Sequence, residues 1–227
     1  NVAVPAIAWP TTVWPIIQLG LQPHFVDIDL ETLALSDETL RASGSLASDS
    51  AIFLIHPLGK SISLETASES RTSQSNTPLL LNDVCESLGS WQDGMHAGAE
   101  GLASTFSFYF SHHITTMEGG GVATDDIELA EDLRSIRAHG WSRGRRDEST
   151  WTEGIHPTDS RFLFVTSGYN VRPMEIQAAI GLAQLEDLDG FVNRRQDIAA
   201  EVNQVVSRLE IINLIGGGSK DPKANSW

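Results

Sequence analysis

Cysteine occurs once in the 227 residues, at Cys85. A single thiol excludes an intramolecular disulfide and a cysteine-ligated metal cluster within these residues, and it fits a reducing, cytoplasmic compartment. Lysine is nearly as scarce. Lys60, Lys220 and Lys223 are the only ones, so none lies between residues 61 and 219. Lys and Arg together number 15 against 30 Asp and Glu, a formal charge of −15. A chain this acidic is not expected to bind nucleic acid or an anionic membrane. No apolar run reaches transmembrane length, no secretory signal is visible and no internal repeat is found. Gly216-Gly217-Gly218-Ser219-Lys220 lacks the spacing of a phosphate loop. What is present is ordinary for a globular protein: 41% hydrophobic and 20% charged residues, enough to bury a substantial core.

Short apolar runs alternate with helical patterns. Val2–Val4, His24–Asp27, Ala51–His56 and Leu79–Leu81 have the composition and length of strands. A helix is expected from the Pro10–Thr12 turn to about Leu19, with Thr11 as its N-cap and Pro15 near its first turn. A second, short one covers Asp37–Arg41. Residues 63–76 are Ser-rich and polar. Beyond the midpoint, Asp125 or Asp126 caps a helix to about Ala138, with Leu129, Leu133 and Ile136 at helical spacing. The charged segment Arg143–Ser160 is expected to be an exposed loop, and Phe162–Val165 a strand. Helices follow from Arg172 to about Leu188 and, after a break at Asp189-Gly190, to about Leu209. Phe191, Ile198, Val202, Val205 and Leu209 mark one face of the last one. Strands alternating with helices indicate an α/β fold with a largely parallel sheet.

The centre of this arrangement is Ser104–Thr124. Phe106, Phe108, Tyr109 and Phe110 predict a buried strand. A polar loop with His112 and His113 follows, and Gly119-Gly120-Gly121 turns the chain into a strand at Val122-Ala123. A buried strand that delivers polar groups to its carboxyl end is how α/β enzymes build sites. His112 can both take and return a proton near neutral pH. Asp83, after the Leu79–Leu81 strand, would stand at the same edge, where it could serve a cofactor or cap a helix. Trp9 and Trp14 on their own would pass for core aromatics. Ser107, between aromatics, has a hydroxyl to satisfy.

These stretches are similar to the DegT/StrS-type sugar aminotransferases, enzymes of the type I fold that use pyridoxal 5'-phosphate. Ser107-Phe108-Tyr109-Phe110-Ser111 leads into the position where the family has S-F-x-x-x-K and the lysine carries the cofactor as a Schiff base. Here that position is His112. The resemblance further implies that Trp9 (in Pro5-Ala6-Ile7-Ala8-Trp9) stacks on the pyridine ring and that Asp83 pairs with its nitrogen. Glu86 falls where a glutamine usually contacts the ring oxygen, and Ser107 matches a phosphate-contacting serine. Gly168-Tyr169-Asn170-Val171-Arg172 resembles the family's G-Y-N-x-R. In the family that asparagine reaches the phosphate of the partner subunit, which implies a homodimer with shared sites. The match runs from Val2 to about Leu209.

A branch of the family carries histidine in place of the lysine and removes a hydroxyl instead of transaminating. Trp9–Ile17, Ser111–Gly120 and Arg137–Trp141 carry the likeness to the part of that branch acting on GDP-sugars. The expected activity is 3-dehydration of a nucleotide-linked 4-keto-6-deoxy sugar, with pyridoxamine 5'-phosphate as the working cofactor and glutamate as amino donor, in deoxysugar and O-antigen biosynthesis. A sister branch on CDP-sugars holds an iron–sulfur cluster in the loop after the 126–138 helix. Trp141–Trp151 has no cysteine, so neither cluster nor reductase partner is expected. An ordinary sugar aminotransferase would need a lysine at 112, whereas a non-catalytic scaffold would need none of the cofactor-contacting residues. On this pattern residues 1–209 form the cofactor-binding large domain and 210–227 begin a smaller C-terminal domain. A phosphate loop before Asn1 and the rest of that domain after Trp227 are expected in a longer polypeptide, without which these residues would bind cofactor poorly.

Overall fold

Side chains in a strand alternate between faces, and here both faces are covered. In a computed structural model that describes residues 1–65, 77–92 and 94–208, Ala3, Ile52, Leu54 and Leu80 pack on one side of a sheet with Val26, Leu35, Leu40 and Leu64. Val2, Val4 and the flanking Ala51 and Phe53 point to the other side, against Ile16 and Val13. The strands therefore read as continuous apolar runs.

In chain order the elements are β1 (Val2–Pro5), α1 (Pro10–Gln18), β2 (Pro23–Val26), α2 (Asp37–Ser43), α3 (Ser45–Ser48), β3 (Ala51–Ile55) and β4 (Leu79–Asp83). A two-stranded antiparallel ribbon, β5 (Trp91–Gln92) and β6 (Met95–His96), precedes β7 (Ala103–Ser107) and β8 (Gly120–Ala123). The main sheet runs β2-β1-β3-β4-β7-β8, with every pair parallel except β7–β8. Parallel pairing brings the carboxyl ends of β1, β3, β4 and β7 to one edge. Between β1 and β3 the order reverses, the point at which open α/β sheets leave a crevice.

The chain clusters into two compact units. The first comprises Asn1–Ala123 with Ala179–Trp227, of which residues 179–208 are described. It holds the sheet, the later part of α7 (Glu175–Leu185) and α8 (Leu188–Val206). The second, Thr124–Ala178, contains α4 (Ile127–Ile136), α5 (Glu148–Thr152) and α6 (Pro157–Ser160). Within it the Arg137–Trp141 stretch lies against Phe164–Val171: His139 N–H donates to Tyr169 O (2.8 Å), Tyr169 N–H to Ile136 O (2.7 Å) and Val165 N–H to Gly140 O (2.8 Å).

Several expectations are corrected. The β7 strand stops at Ser107, and Phe108–Phe110 lie in the following loop, with Tyr109 and Phe110 exposed. The N-cap of α1 is Trp9, not Thr11, because Pro10 already supplies a first-turn φ. Pro15 lies inside α1 and not in its first turn, while the helix ends at Gln18, close to the expected Leu19. Arg143–Ser160 is mostly exposed, as expected, but it is not all loop. Arg145 is buried between Asp132 Oδ1 (2.8 Å) and Asp147 Oδ1 (2.7 Å), and the segment forms α5 and α6. Phe162–Val165 makes one bridge, Trp141 with Phe164, and no strand. The break between the last helices falls at Asp187, and Gly190 is inside α8. Of the α8 apolar positions Val192 is buried, whereas Phe191, Ile198, Val202 and Val205 are exposed. Leu209, the 210–227 segment and the Gly216–Lys220 run lie outside the described residues, as do residues 66–76 of the Ser-rich stretch.

A buried polar layer lies behind the carboxyl edge. Ile62 N–H donates to His56 Nδ1 (3.0 Å), so the proton is on Nε2, which donates to Asn82 Oδ1 (3.1 Å). Asn82 Nδ2 donates to Glu100 O (2.6 Å), and Ser87 Oγ to His56 O (2.6 Å). Burial pushes the His56 pKa down to about 4, only partly offset by the Asn82 hydrogen bond and the Asp83 charge.

Candidate active site

Asp83 is the last residue of β4 and is paired in register with Ile55 of β3 and Thr105 of β7. Its carboxylate is held from two sides. Thr12 Oγ1 donates to Oδ2 at 2.8 Å, and the Cys85 backbone N–H donates to Oδ1 at 3.1 Å. The second bond closes a turn; no helix starts there, so Asp83 is not a helix cap. Burial and the neighbouring Asp83 charge raise the Cys85 thiol pKa far above the usual range, which disfavours the thiolate.

Trp9 follows β1 at the same edge and caps α1. Trp9 is 74% exposed and Trp14 54%, so neither is a core aromatic. Ser107 ends β7. Its Oγ accepts from Tyr109 N–H at 3.2 Å, which leaves the hydroxyl proton to donate. Glu86 is half-buried, and its Oε2 accepts from Leu58 N–H at 3.1 Å, holding the positive-φ turn that follows β3.

His112 lies on a closed loop between β7 and β8. Phe108 N–H donates to Gly119 O (2.9 Å), Thr116 N–H to Phe108 O (2.8 Å) and His112 N–H to Tyr109 O (3.1 Å). Helix α7 packs on this loop: a Cβ added to Gly181 would stand 2.9 Å from Thr116 Cγ2. Gln184 grips Thr115 through both its amide atoms. The imidazole is half-buried and its pKa is lowered. Burial is the main cause, the charges of Glu86 and Asp83 oppose it, and Arg195 of α8 adds to it. Glu86 and Asp83 are thus near enough to act on the ring. His113 is buried, 4% exposed. Sequence reasoning missed Thr12, Gln184 and Arg195. The first two lie in segments singled out for other reasons, and nothing local marks Arg195.

Asn170 belongs to the second unit, where it is exposed and bridges Ala138. Lys60, the only lysine among the described residues, directs Nζ to Glu31 O (3.4 Å) and Thr32 O (3.5 Å), beside Asp29. Among the described residues no cluster of His, Cys, Asp or Glu is placed to hold a metal, and no helix is long and apolar enough to cross a membrane.

The sequence profile of the DegT/DnrJ/EryC1/StrS aminotransferase family matches residues 1–227. The chain belongs to this family. A GDP-4-keto-6-deoxy-D-mannose 3-dehydratase of Yersinia pseudotuberculosis is 40% identical over 229 residues, covering 100% of this chain and 56% of the relative. Among solved structures, a GDP-4-keto-6-deoxymannose-3-dehydratase with a histidine-to-asparagine substitution and bound GDP-perosamine superposes with a TM-score of 0.86 at 35% identity. It covers 100% of this chain and 57% of that one. Another structure of that enzyme, holding a trapped PLP–glutamate geminal diamine, gives a TM-score of 0.85 at 35% identity with the same coverage. The chain spans about half the length of the curated relatives it matches. The fold is that of the PLP-dependent aminotransferases, a mostly parallel sheet flanked by helices.

Proposed function

We propose that this chain forms the cofactor-binding large domain (residues 1–209) of a PLP/PMP-dependent 3-dehydratase. Its substrate is a nucleotide-linked 4-keto-6-deoxy sugar, with the GDP-sugar favoured, and it acts in the cytoplasm. One observation carries the reading. The loop after β7 presents a half-buried histidine near Asp83 and Glu86, and the described lysine, Lys60, is engaged with the Glu31–Thr32 turn. The 3-dehydratase relative and the GDP-perosamine complex support the substrate class.

The residues present fit the cofactor: a carboxylate fixed at the sheet edge, an exposed indole face and a serine hydroxyl free to donate. Asp83 would hold the protonated ring nitrogen, Trp9 would cover the ring, Glu86 would stand at the ring-oxygen side and Ser107 would donate to the phosphate. When bound, pyridoxamine phosphate supplies an amine that condenses with the 4-keto group and a ring that takes up electrons. His112 would be the base that takes a proton from the amine-bearing carbon. Once protonated, it would donate that proton to the departing carbon-3 oxygen, which would leave as water. Histidine, unlike lysine, cannot bind the cofactor covalently, so it would not displace the product and hold the cofactor as lysine does. Glutamate would serve as the amino donor that renews the amine form, a role supported by the PLP–glutamate structure of the related enzyme. Asn170 would reach the phosphate of a partner subunit, making the enzyme a homodimer.

The test compares wild-type full-length polypeptide with His112→Lys, supplied with cofactor, glutamate and GDP-4-keto-6-deoxymannose. Wild type should form no borohydride-reducible bond to the cofactor and should consume the sugar. The lysine variant should trap the cofactor and lose dehydration. A wild-type protein whose spectrum responds to neither glutamate nor the sugar would overturn the reading.

A further inference from the structure

Asp83 is reached from a distant part of the chain. Thr12, 71 residues earlier, is buried at 5% exposed and stands in the first turn of α1. Its backbone N–H donates to Trp9 O (3.0 Å), so one turn of helix carries both the exposed indole and the hydroxyl that meets Asp83. We propose that Thr12 is a positioning residue for the reaction above: its hydroxyl holds the Asp83 carboxylate in the rotamer that faces the ring nitrogen. The proposal rests on the cofactor reading of this edge.

The terminal torsion of an aspartate is broad and roughly two-fold, so a carboxylate held at one oxygen can swing. Here the two oxygens are held by separate donors, Thr12 Oγ1 at 2.8 Å and the Cys85 backbone N–H at 3.1 Å, with the Cys85 thiol a further contact. An ionised carboxylate has about four acceptor positions. Thr12 and Cys85 take up part of this capacity, and the rest remains for a cationic N–H. Threonine suits the task because branching at Cβ restricts χ1, and burial removes competing water. A tie between α1 and β4 that served stability alone would not need its acceptor to be the residue expected to meet the cofactor.

The experiment uses the full-length polypeptide as wild type, Thr12→Val and Thr12→Ser. Valine keeps the shape and branching and removes the hydroxyl, whereas serine keeps the hydroxyl. Affinity for pyridoxamine phosphate is measured by calorimetry and protonation of the ring by the nitrogen resonance of ¹⁵N-labelled cofactor. Thermal denaturation without cofactor monitors folding. Loss of a hydrogen bond to a charged group predicts about tenfold weaker binding in Thr12→Val. Its ring-nitrogen signal should move toward the unprotonated position, and Thr12→Ser should restore both. A Thr12→Val protein that melts earlier yet binds with wild-type affinity and an unchanged nitrogen signal would overturn the proposal, leaving only a structural tie. Failure of wild type itself to bind the cofactor would bring down the functional reading and this proposal together, and is told apart by which protein fails.

Discussion

Gln184 and Thr115 exchange a pair of hydrogen bonds: Thr115 N–H donates to Gln184 Oε1 at 3.0 Å, and Gln184 Nε2 donates to Thr115 O at 2.6 Å. The glutamine amide thus pairs with the loop backbone as a neighbouring strand would. Nε2 also reaches Ile180 O (3.1 Å), which fixes the side chain along α7. Replacing Gln184 with Leu keeps the bulk and removes three bonds. The partly buried backbone groups of Thr115 would then cost about 1–2 kcal/mol of local stability. Amide hydrogen exchange should be faster at Thr115, with β4 amides unchanged. Protection of Thr115 equal to wild type would show that the loop holds itself.

The loop gives His112 its electrostatic setting, and that setting has a sign. Burial lowers the imidazole pKa, so the neutral base persists to more acidic pH than an ordinary histidine allows. Glu86 works in the opposite direction and Arg195 in the same one. In the full-length enzyme, Glu86→Gln should therefore move the acidic limb of the pH–rate profile further down. Arg195→Gln should move it up. Because kcat/KM reports the free enzyme, that is the parameter to follow. Shifts of the same sign in both variants would show that the acidic limb belongs to another group.

The strands of the sheet were legible, because apolar runs of strand length are local properties. Asp126 as the N-cap of α4 was legible for the same reason: its side chain accepts from Leu129 N–H, three residues on. The end of β7 was not. Aromatic composition favours a strand through Phe110, but the tertiary closure of Phe108 with Gly119 and Thr116 takes the chain out of the sheet at Ser107. Arg145 was misread because charge alone reports solvent. Its burial depends on Asp132, 13 residues earlier. His112, Asp83 and Ser107 came from motif position, and strand direction then explains why they share an edge. Thr12 carries no local mark, since its partner is distant in sequence.

His56 makes the stability of the fold depend on pH. Its folded pKa, about 4, lies below the ordinary 6.5, so the unfolded chain takes up the proton first as pH falls. This contribution is intact above about pH 6.5 and is lost progressively on the way down to about pH 4, amounting to about 3 kcal/mol. Protonation would also oppose the Ile62 N–H, which needs Nδ1 as an acceptor. Urea midpoints of wild type should fall across this window more steeply than those of His56→Gln, which has no proton to gain. Parallel slopes for the two proteins would assign the acid sensitivity to carboxylates instead.

Gly140 and Gly154 lie in the second unit with nearly the same backbone, φ +85° and +73°, and opposite surroundings. A Cβ at Gly140 would collide with the Thr166 carbonyl oxygen, while one at Gly154 would meet nothing within 4 Å. Both alanine variants carry the left-handed backbone penalty of about 1–2 kcal/mol. Only Gly140→Ala must also push apart the His139–Tyr169 and Gly140–Val165 bonds that hold the two stretches of this unit together. Its loss should be about 3 kcal/mol or more, in the range of steric disruption, against the backbone term alone for Gly154→Ala. Urea denaturation followed by tryptophan fluorescence measures both, since Trp141 stacks on Phe164 beside the contact. Equal losses would mean that Thr166 yields to the added methyl and that Gly140 is required only for its φ.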